Sequence, residues 1–310
     1  MPRVKVIRVK VWITRRMPVH LGPIRRWVTA LTVPWGYVMI LDDQPVSMRV
    51  RNDAPHLVAL DIDGTLLVTG QRVPEPTVLA VQLVRSRKHH VVLASGRSLT
   101  GILPVAKELG ITDGWVVASN GAVTARLCDT CTNGYMLEDV LTFDVGPVAQ
   151  MALSRFPDVQ IGVEEIGVGY RVNRTFEPHE VNGAQRVVAV DGLGALPASR
   201  AILRGPGVLD LLEPLRRHGV TATQAAADWI DVTPQRLSKA TSLENVRSAL
   251  GVPQHNTLAV GDGLNDIEML SWAARAVAMG HAPDEVKAIA NETVGDITQH
   301  GVIQALKTLI

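Results

Sequence analysis

Little in this chain could staple or anchor it. Its two cysteines, Cys128 and Cys131, sit in a single C-x-x-C, so no disulfide framework holds the fold. A structural zinc site would need two further ligands at matching spacing. The next histidine downstream, His179, stands alone, and the pair reads as a coincidence in a loop rather than a redox pair or half a zinc site. No uncharged run reaches the roughly 20 residues that a membrane-spanning helix requires. There is no glycine-rich Walker loop, which excludes a P-loop nucleotide site, and there is neither an internal repeat nor a low-complexity tract. The net charge is only +1, which argues against a general nucleic-acid or membrane partner for the whole molecule. What remains is an ordinary soluble composition, 46% hydrophobic and 20% charged over 310 residues, enough for one large or two modest domains.

The near-neutral total hides an asymmetry. Residues 1–50 carry nine Lys/Arg against two Asp/Glu, and the remainder is correspondingly acidic. Val4, Ile7, Val9, Val11 and Ile13 tend to alternate with polar residues, a weak strand signal. Arg25 and Arg26 then precede an uncharged run over 27–41, as in a signal peptide, but no small-x-small cleavage site follows. The stretch 1–53 is therefore expected to be a disordered or loosely attached extension, or a start assigned too far upstream with Met48 as the internal candidate. Membrane contact through residues 1–47 is the minority expectation.

From residue 55 the punctuation becomes regular. Apolar runs at 57–60, 91–94 and 115–118 each end in small polar residues, and helix-like stretches at 76–87 and 99–109 separate them. This is the βαβ signature of a parallel sheet. Between 123 and 231 the rhythm changes: candidate strands at 160–163, 169–172, 186–190, 201–203 and 229–232 lie among helices around 148–155 and 208–218, which suggests a separate α+β insert. The βα alternation returns with a helix at 239–250 and a strand at 257–260.

Chemistry should collect at the carboxyl ends of the parallel strands, where ligands of open α/β sheets bind. Asp61 and Asp63 follow the first strand two residues apart, so both project from one face, and Gly64 lets the backbone turn beneath them. Gly261-Asp262-Gly263-Leu264-Asn265-Asp266 follows another strand and brings a second acidic cluster. Two such clusters make an oxygen-rich cage suited to Mg²⁺, a hard cation that binds through one or two carboxylates plus phosphate oxygens. Ser95 offers a hydroxyl, Gly96 a backbone N–H and Lys239 a positive charge to a phosphate.

At these residues the chain resembles the haloacid-dehalogenase-superfamily phosphatases, and more closely the Cof-type hydrolases. The matching motifs are Asp61-Ile62-Asp63-Gly64-Thr65, Ser95-Gly96-Arg97, Lys239, and Gly261 to Asp266 followed by Ile267-Glu268-Met269-Leu270. The resemblance runs from about His56 onward and leaves residues 1–53 without a counterpart. It implies an α/β fold, with a Rossmann-like parallel-sheet core over 54–122 and 235–310 and an inserted α+β C2-type cap over 123–234. It also implies Asp61 as nucleophile, forming an aspartyl-phosphate, and Asp63 as the acid that protonates the leaving oxygen and then activates water. Gly64, Thr65, Ser95, Gly96 and Lys239 would surround the phosphate, and Arg97, Asn120 and Gly121 the substrate. Mg²⁺ would rest on Asp61, Asp262 and the Asp63 backbone carbonyl, with Asn265 and Asp266 touching the metal directly or standing behind its ligands. One departure is His281, where relatives commonly carry Asn.

The expectation is a cytoplasmic, Mg²⁺-dependent phosphatase for small phosphorylated metabolites, with sugar phosphates, nucleotide or flavin monophosphates and pyridoxal phosphate all open. Cap residues such as Arg171 and His179 would rank the substrates, and no nucleic acid is expected as a partner. Two alternatives stand beside it: a phosphotransferase or phosphomutase on the same core, and a non-catalytic phosphate-ligand-binding protein tethered by its basic N-terminus. Intact Asp61, Asp63, Lys239 and Asp262 argue against the second.

Overall fold

The computed structural model describes residues 54–177 and 180–310. The basic stretch 1–53, with its weak strand signal and its 27–41 run, and His179 lie outside the described residues. From Ala54 to Ile310 the chain forms one compact unit.

The elements run β1 (Leu57–Leu60), α1 (Glu75–Ser86), β2 (His90–Ala94), α2 (Leu99–Glu108) and β3 (Asp113–Ala118). Then come β4 (Val123–Cys128), β5 (Tyr135–Val140), α3 (Gly146–Arg155), β6 (Gln160–Glu165), β7 (Gly169–Val172), β8 (Ala184–Val187), α4 (Val190–Leu193), β9 (Ala201–Arg204), α5 (Leu212–His218), β10 (Val220–Ala226) and β11 (Trp229–Pro234). The chain closes with α6 (Lys239–Ala249), β12 (Thr257–Gly261), α7 (Ile267–Trp272), β13 (Arg275–Ala278), α8 (Asp284–Ile289), β14 (Glu292–Thr293) and α9 (Gly301–Leu306).

An eight-stranded sheet has the order β14-β13-β12-β1-β2-β3-β4-β5, parallel from β14 to β3 and antiparallel thereafter. The period-2 geometry of a strand explains why β1 is apolar at every position. Val58 and Leu60 pack on one face with Val81, Val84, Ile102 and Leu306, whereas Leu57 and Ala59 pack on the other with Leu243, Val246, Met269 and Leu270. Helices therefore cover both faces, and only the strand ends stay open for chemistry.

A second sheet has the order β10-β11-β9-β6-β7-β8 and is antiparallel except between β7 and β8. Its two faces differ. Ile161, Val163, Ala201, Leu203, Ile230 and Val232 point into an apolar cluster with α3 and α5 residues such as Val148, Ala152 and Leu215. The alternate positions, Glu164, Arg200, Ile202, Trp229 and Asp231, therefore share the opposite face.

Several expectations shift. Residues 123–140, within the range given to the insert, form the β4–β5 hairpin and pair with β3 in the large sheet. Cys128 and Cys131 are joined by a disulfide in the turn of that hairpin. The strand expected at 186–190 lies at Ala184–Val187, and Val190 opens α4 instead. β10 had no apolar run to announce it, since in Val220–Ala226 only Val220 and Ala222 are buried.

Candidate active site

Asp61 leaves β1 with its backbone N–H bonded to the Val260 carbonyl at 3.0 Å, which ties the tips of β1 and β12 together. Its carboxylate is buried and accepts a hydrogen bond from Lys239 Nζ at 2.6 Å. The same ammonium donates to Asp266 Oδ1 at 2.6 Å. Asp266 is itself fixed, because its Oδ2 accepts from the N–H groups of Asp262 (3.0 Å) and Gly263 (2.9 Å). Thr65 Oγ1 donates to Asp262 Oδ1 at 2.8 Å, and His281 Nε2 lies 3.4 Å from Asp262 Oδ2.

Two close approaches make this possible. Gly64 has φ +84°, and a Cβ there would overlap the Asp262 carboxylate. Gly121 has φ +106°, and a Cβ there would meet the Ser238 carbonyl, so this glycine admits the first turn of α6. Ser238 caps that helix in a capping box with Thr241, and Ser242 Oγ donates to the Gly121 carbonyl at 2.7 Å. Lys239, the first residue of α6, is thereby carried into the interior at 0% exposure.

The electrostatics are unbalanced. Carboxylate oxygens of Asp61, Asp262 and Asp266 lie within 4.8 Å of one another. Burial, then repulsion from Asp266, pushes the Asp61 carboxyl well above its ordinary value, although Lys239 opposes this. Burial and Asp266 likewise push Asp262 up to about 6. Burial would lower the Lys239 ammonium, but Asp266 and Asp61 outweigh it and hold it protonated. Three hard oxygen donors facing one ammonium suit a divalent cation, which would supply the missing positive charge.

Asp63 takes a different partner. Burial would raise its carboxyl, but hydrogen bonds from Arg97 outweigh that and hold it below the ordinary range. Arg97 grips it bidentately, Nε to Oδ2 and Nη2 to Oδ1, both at 2.6 Å, and Thr69 Oγ1 adds a bond to Oδ1 at 2.8 Å. Arg97, expected at the substrate, is thus occupied by a carboxylate. Ser95 is buried and its Oγ accepts from the Arg97 N–H at 3.1 Å. Ser119 and Asn120 both take left-handed backbone (φ +51° and +54°), uncommon for non-glycine residues. Asn120 Nδ2 donates to Asp231 Oδ2 at 3.1 Å, and its Oδ1 accepts from Asn265 Nδ2 at 2.9 Å.

These groups open into a cavity of about 560 Å³ that is shared by the two sheets. The large sheet contributes Asp61, Asp63, Ser95, Gly96, Asn120, Asp262 and Asn265 to its lining. From the second sheet come Arg200, Gln224, Trp229 and Asp231, joined by Glu180 from the loop before β8. Arg171 is not in this lining: it alternates away from Tyr170, donating to the Leu196 carbonyl at 3.3 Å. Arg171, expected among the cap residues that rank substrates, thus stands outside the cavity lining, and His179 lies outside the described residues.

Arg200, Asp231, Trp229, Glu180 and Glu164 went unread in the sequence. Their signal was faint but present, since Asp231 stands between Ile230 and Val232, and a charge inside an apolar strand needs a buried partner. Arg200 supplies it, donating to Asp231 Oδ1 at 2.6 Å and to Tyr170 Oη at 3.0 Å. Glu164 Oε2 accepts from Ser119 Oγ at 2.5 Å and Ser199 Oγ at 3.1 Å.

A family profile described as haloacid dehalogenase-like hydrolase matches residues 58–144 and 209–306. The unmatched stretch between them holds α3 through β9. The 5-amino-6-(5-phospho-D-ribitylamino)uracil phosphatase YitU of Bacillus subtilis is 28% identical, over 82% of this chain and 97% of its own. The HMP-PP phosphatase of Serratia proteamaculans is 26% identical, over 81% of this chain and 94% of its own. A haloacid dehalogenase-like hydrolase from Bacteroides thetaiotaomicron matches in fold with a TM-score of 0.71 at 23% identity, covering 83% of this chain and 100% of that one.

Proposed function

Because the chain belongs to the haloacid dehalogenase-like hydrolases and is a phosphatase of their Cof type, we propose that it hydrolyses small phosphomonoesters through a phosphoryl group carried on Asp61, with Mg²⁺ as cofactor. The observation that carries this reading is the buried Asp61 carboxylate, hydrogen-bonded by Lys239 and crowded by Asp262 and Asp266.

An Asp61 oxygen attacks phosphorus, the bond from phosphorus to the leaving oxygen breaks, and Asp63 gives that oxygen a proton. Water then attacks the aspartyl-phosphate, Asp63 takes its proton, and inorganic phosphate leaves with Asp61 restored. Asp61, Asp262 and the Asp63 carbonyl would hold Mg²⁺, with Asp266 and Asn265 in support, and the ion would neutralise charge between the carboxylates and the phosphate. Lys239 holds Asp61 in position and meets a phosphate oxygen, while Ser95 and the Gly96 N–H bind the others. The Arg97 grip keeps Asp63 ionised, so its acid role requires the pair to part when substrate enters.

We assign the second sheet the part of a cap: it closes the cavity, excludes water and presents the leaving group with its own side chains. Candidate leaving groups include sugars, nucleosides and flavin-like polyols. Phosphate release from p-nitrophenyl phosphate tests the reading. It should stop in EDTA, return with Mg²⁺ and vanish in Asp61→Asn with the circular dichroism spectrum unchanged. A metal-independent rate, or more than a few per cent of activity in the variant, would overturn it.

A further inference from the structure

Charge on the second-sheet wall of the cavity is unevenly spent. Among the described residues lining it, Glu180 and Asp231 are carboxylates and Arg200 is the one cation outside the phosphate end. The charge of Arg200 is already committed within the wall. Its Nη1 bonds Tyr170, its Nη2 bonds Asp231, and its Nε is buried without a partner at a residue only 7% exposed. Behind Glu180 stands Arg204, which pairs with it but also lies 3.6 Å from Asp228 Oδ2, so one guanidinium serves two carboxylates. With Arg200 and Asp231 neutralising each other, the uncompensated negative charge of the wall falls to Glu180 and Asp228, which share Arg204. The two cations nearer the phosphate end, Arg97 and Lys239, are held by Asp63 and by Asp61 with Asp266.

The other wall groups are neutral and suited to polar or flat partners. Trp229 is half-buried, tilted against Phe176 at 5.6 Å between ring centroids, and its Nε1 donates to Asp231 Oδ1 at 3.2 Å. Gln224 adds an amide.

We propose, resting on the phosphatase reading, that Glu180, Asp231 and Trp229 form a charge filter. It admits phosphomonoesters whose leaving group is uncharged and bears hydroxyl or amine donors, and it rejects those with a second anionic group. Donors on the leaving group find carboxylate acceptors, and a flat portion finds Trp229. A carboxylate or second phosphate finds two carboxylates whose neighbouring cations, Arg200 and Arg204, are already paired.

The test compares molecules that differ by one charge. The full-length enzyme with Mg²⁺ is assayed on 4-carbamoylphenyl phosphate against 4-carboxyphenyl phosphate, and on glucose 6-phosphate against 6-phosphogluconate. We expect kcat/KM for the uncharged aryl ester to exceed that for the acid at least tenfold, with the sugar pair ordered alike. Glu180→Gln and Asp231→Asn should each narrow the aryl ratio by relieving the acid. Glu180→Gln carries the test if Asp231→Asn fails to fold, since Glu180 is not in the buried Arg200 pair. An aryl ratio within twofold, or one that neither variant moves, overturns the filter. Hydrolysis of p-nitrophenyl phosphate is followed in parallel: its presence beside an unselective ratio sinks only the filter, and its absence sinks the phosphatase reading and the filter with it.

Discussion

The carboxyl edge of the large sheet and the inner face of the second sheet both bury charge, and they do so in opposite ways. At the edge, Asp61, Asp262 and Asp266 crowd one ammonium, and the carboxyls of Asp61 and Asp262 are driven upward. On the inner face, Arg200 and Asp231 neutralise each other, and burial pushes the Tyr170 hydroxyl up to about 12, so it stays neutral and accepts from Arg200. Buried charge that is compensated fixes a shape, whereas buried charge left uncompensated marks where a ligand must arrive.

The largest effect tests the first half of that contrast. Asp61→Asn should lower kcat by at least about 10³-fold, as loss of a nucleophile does, yet its thermal midpoint should not fall, because one crowded negative charge is gone. A lower midpoint would mean the edge is a stabilising network like the inner face. The second half is tested by Arg200→Met, which leaves Asp231 buried without its cation. Urea unfolding should show a loss of about 3–5 kcal/mol, the usual result of breaking a buried pair; a variant as stable as the parent would break the comparison.

A pH series sharpens it further. Asp262 has its folded value raised to about 6 from an ordinary 3.8. The native state therefore binds that proton more tightly than the unfolded chain, so the associated stability is full below the ordinary value and is lost as pH rises through about 6. In EDTA the parent should lose stability relative to Asp262→Asn between pH 4 and about 6.5, and Mg²⁺ should reverse the loss above that window. Asp63 works in the other direction, since its lowered value makes it stabilising above the ordinary carboxylate range and less so as pH falls. A flat difference between parent and Asp262→Asn in EDTA would remove the crowding argument.

Asn120 couples the two regions, since its side chain bonds Asp231 on one and Asn265 on the other. Asn120→Ala removes both bonds, each worth about 1 kcal/mol, and should reduce kcat/KM roughly tenfold. Steady-state assays with p-nitrophenyl phosphate check this, and an unchanged kcat/KM would show the regions to be uncoupled. The smallest effect is expected from a chain beginning at Met48, which should keep kcat and thermal midpoint, because every residue of both regions lies after Ala54. A loss of either would attach the extension to the catalytic unit.

Much of the first region was legible without coordinates because its signals are local. An apolar run ending in Asp61-Ile62-Asp63-Gly64, or in Gly261-Asp262, states in a few adjacent residues that a strand stops and where its carboxylates point. Such signals established the parallel sheet, the acidic clusters and the family. The second region offered no such string. Arg200 and Asp231 are 31 residues apart and meet only because β9 and β11 pair, and β10 carries too few apolar residues to announce a strand.

Local reading also leaves open what packing decides. Lys239 reads as a charge for a phosphate, but that it is wholly buried depends on Gly121, far upstream, having no side chain to block α6. Arg97 reads as a substrate ligand, but its bidentate fit to Asp63 depends on β1 and β2 lying side by side. The sequence by itself determined which chemical groups stand at the strand ends, since strand periodicity and turn chemistry act between neighbours. Which of those charges are already satisfied was decided by the tertiary structure alone, because compensation depends on distances between residues that the chain order does not contain.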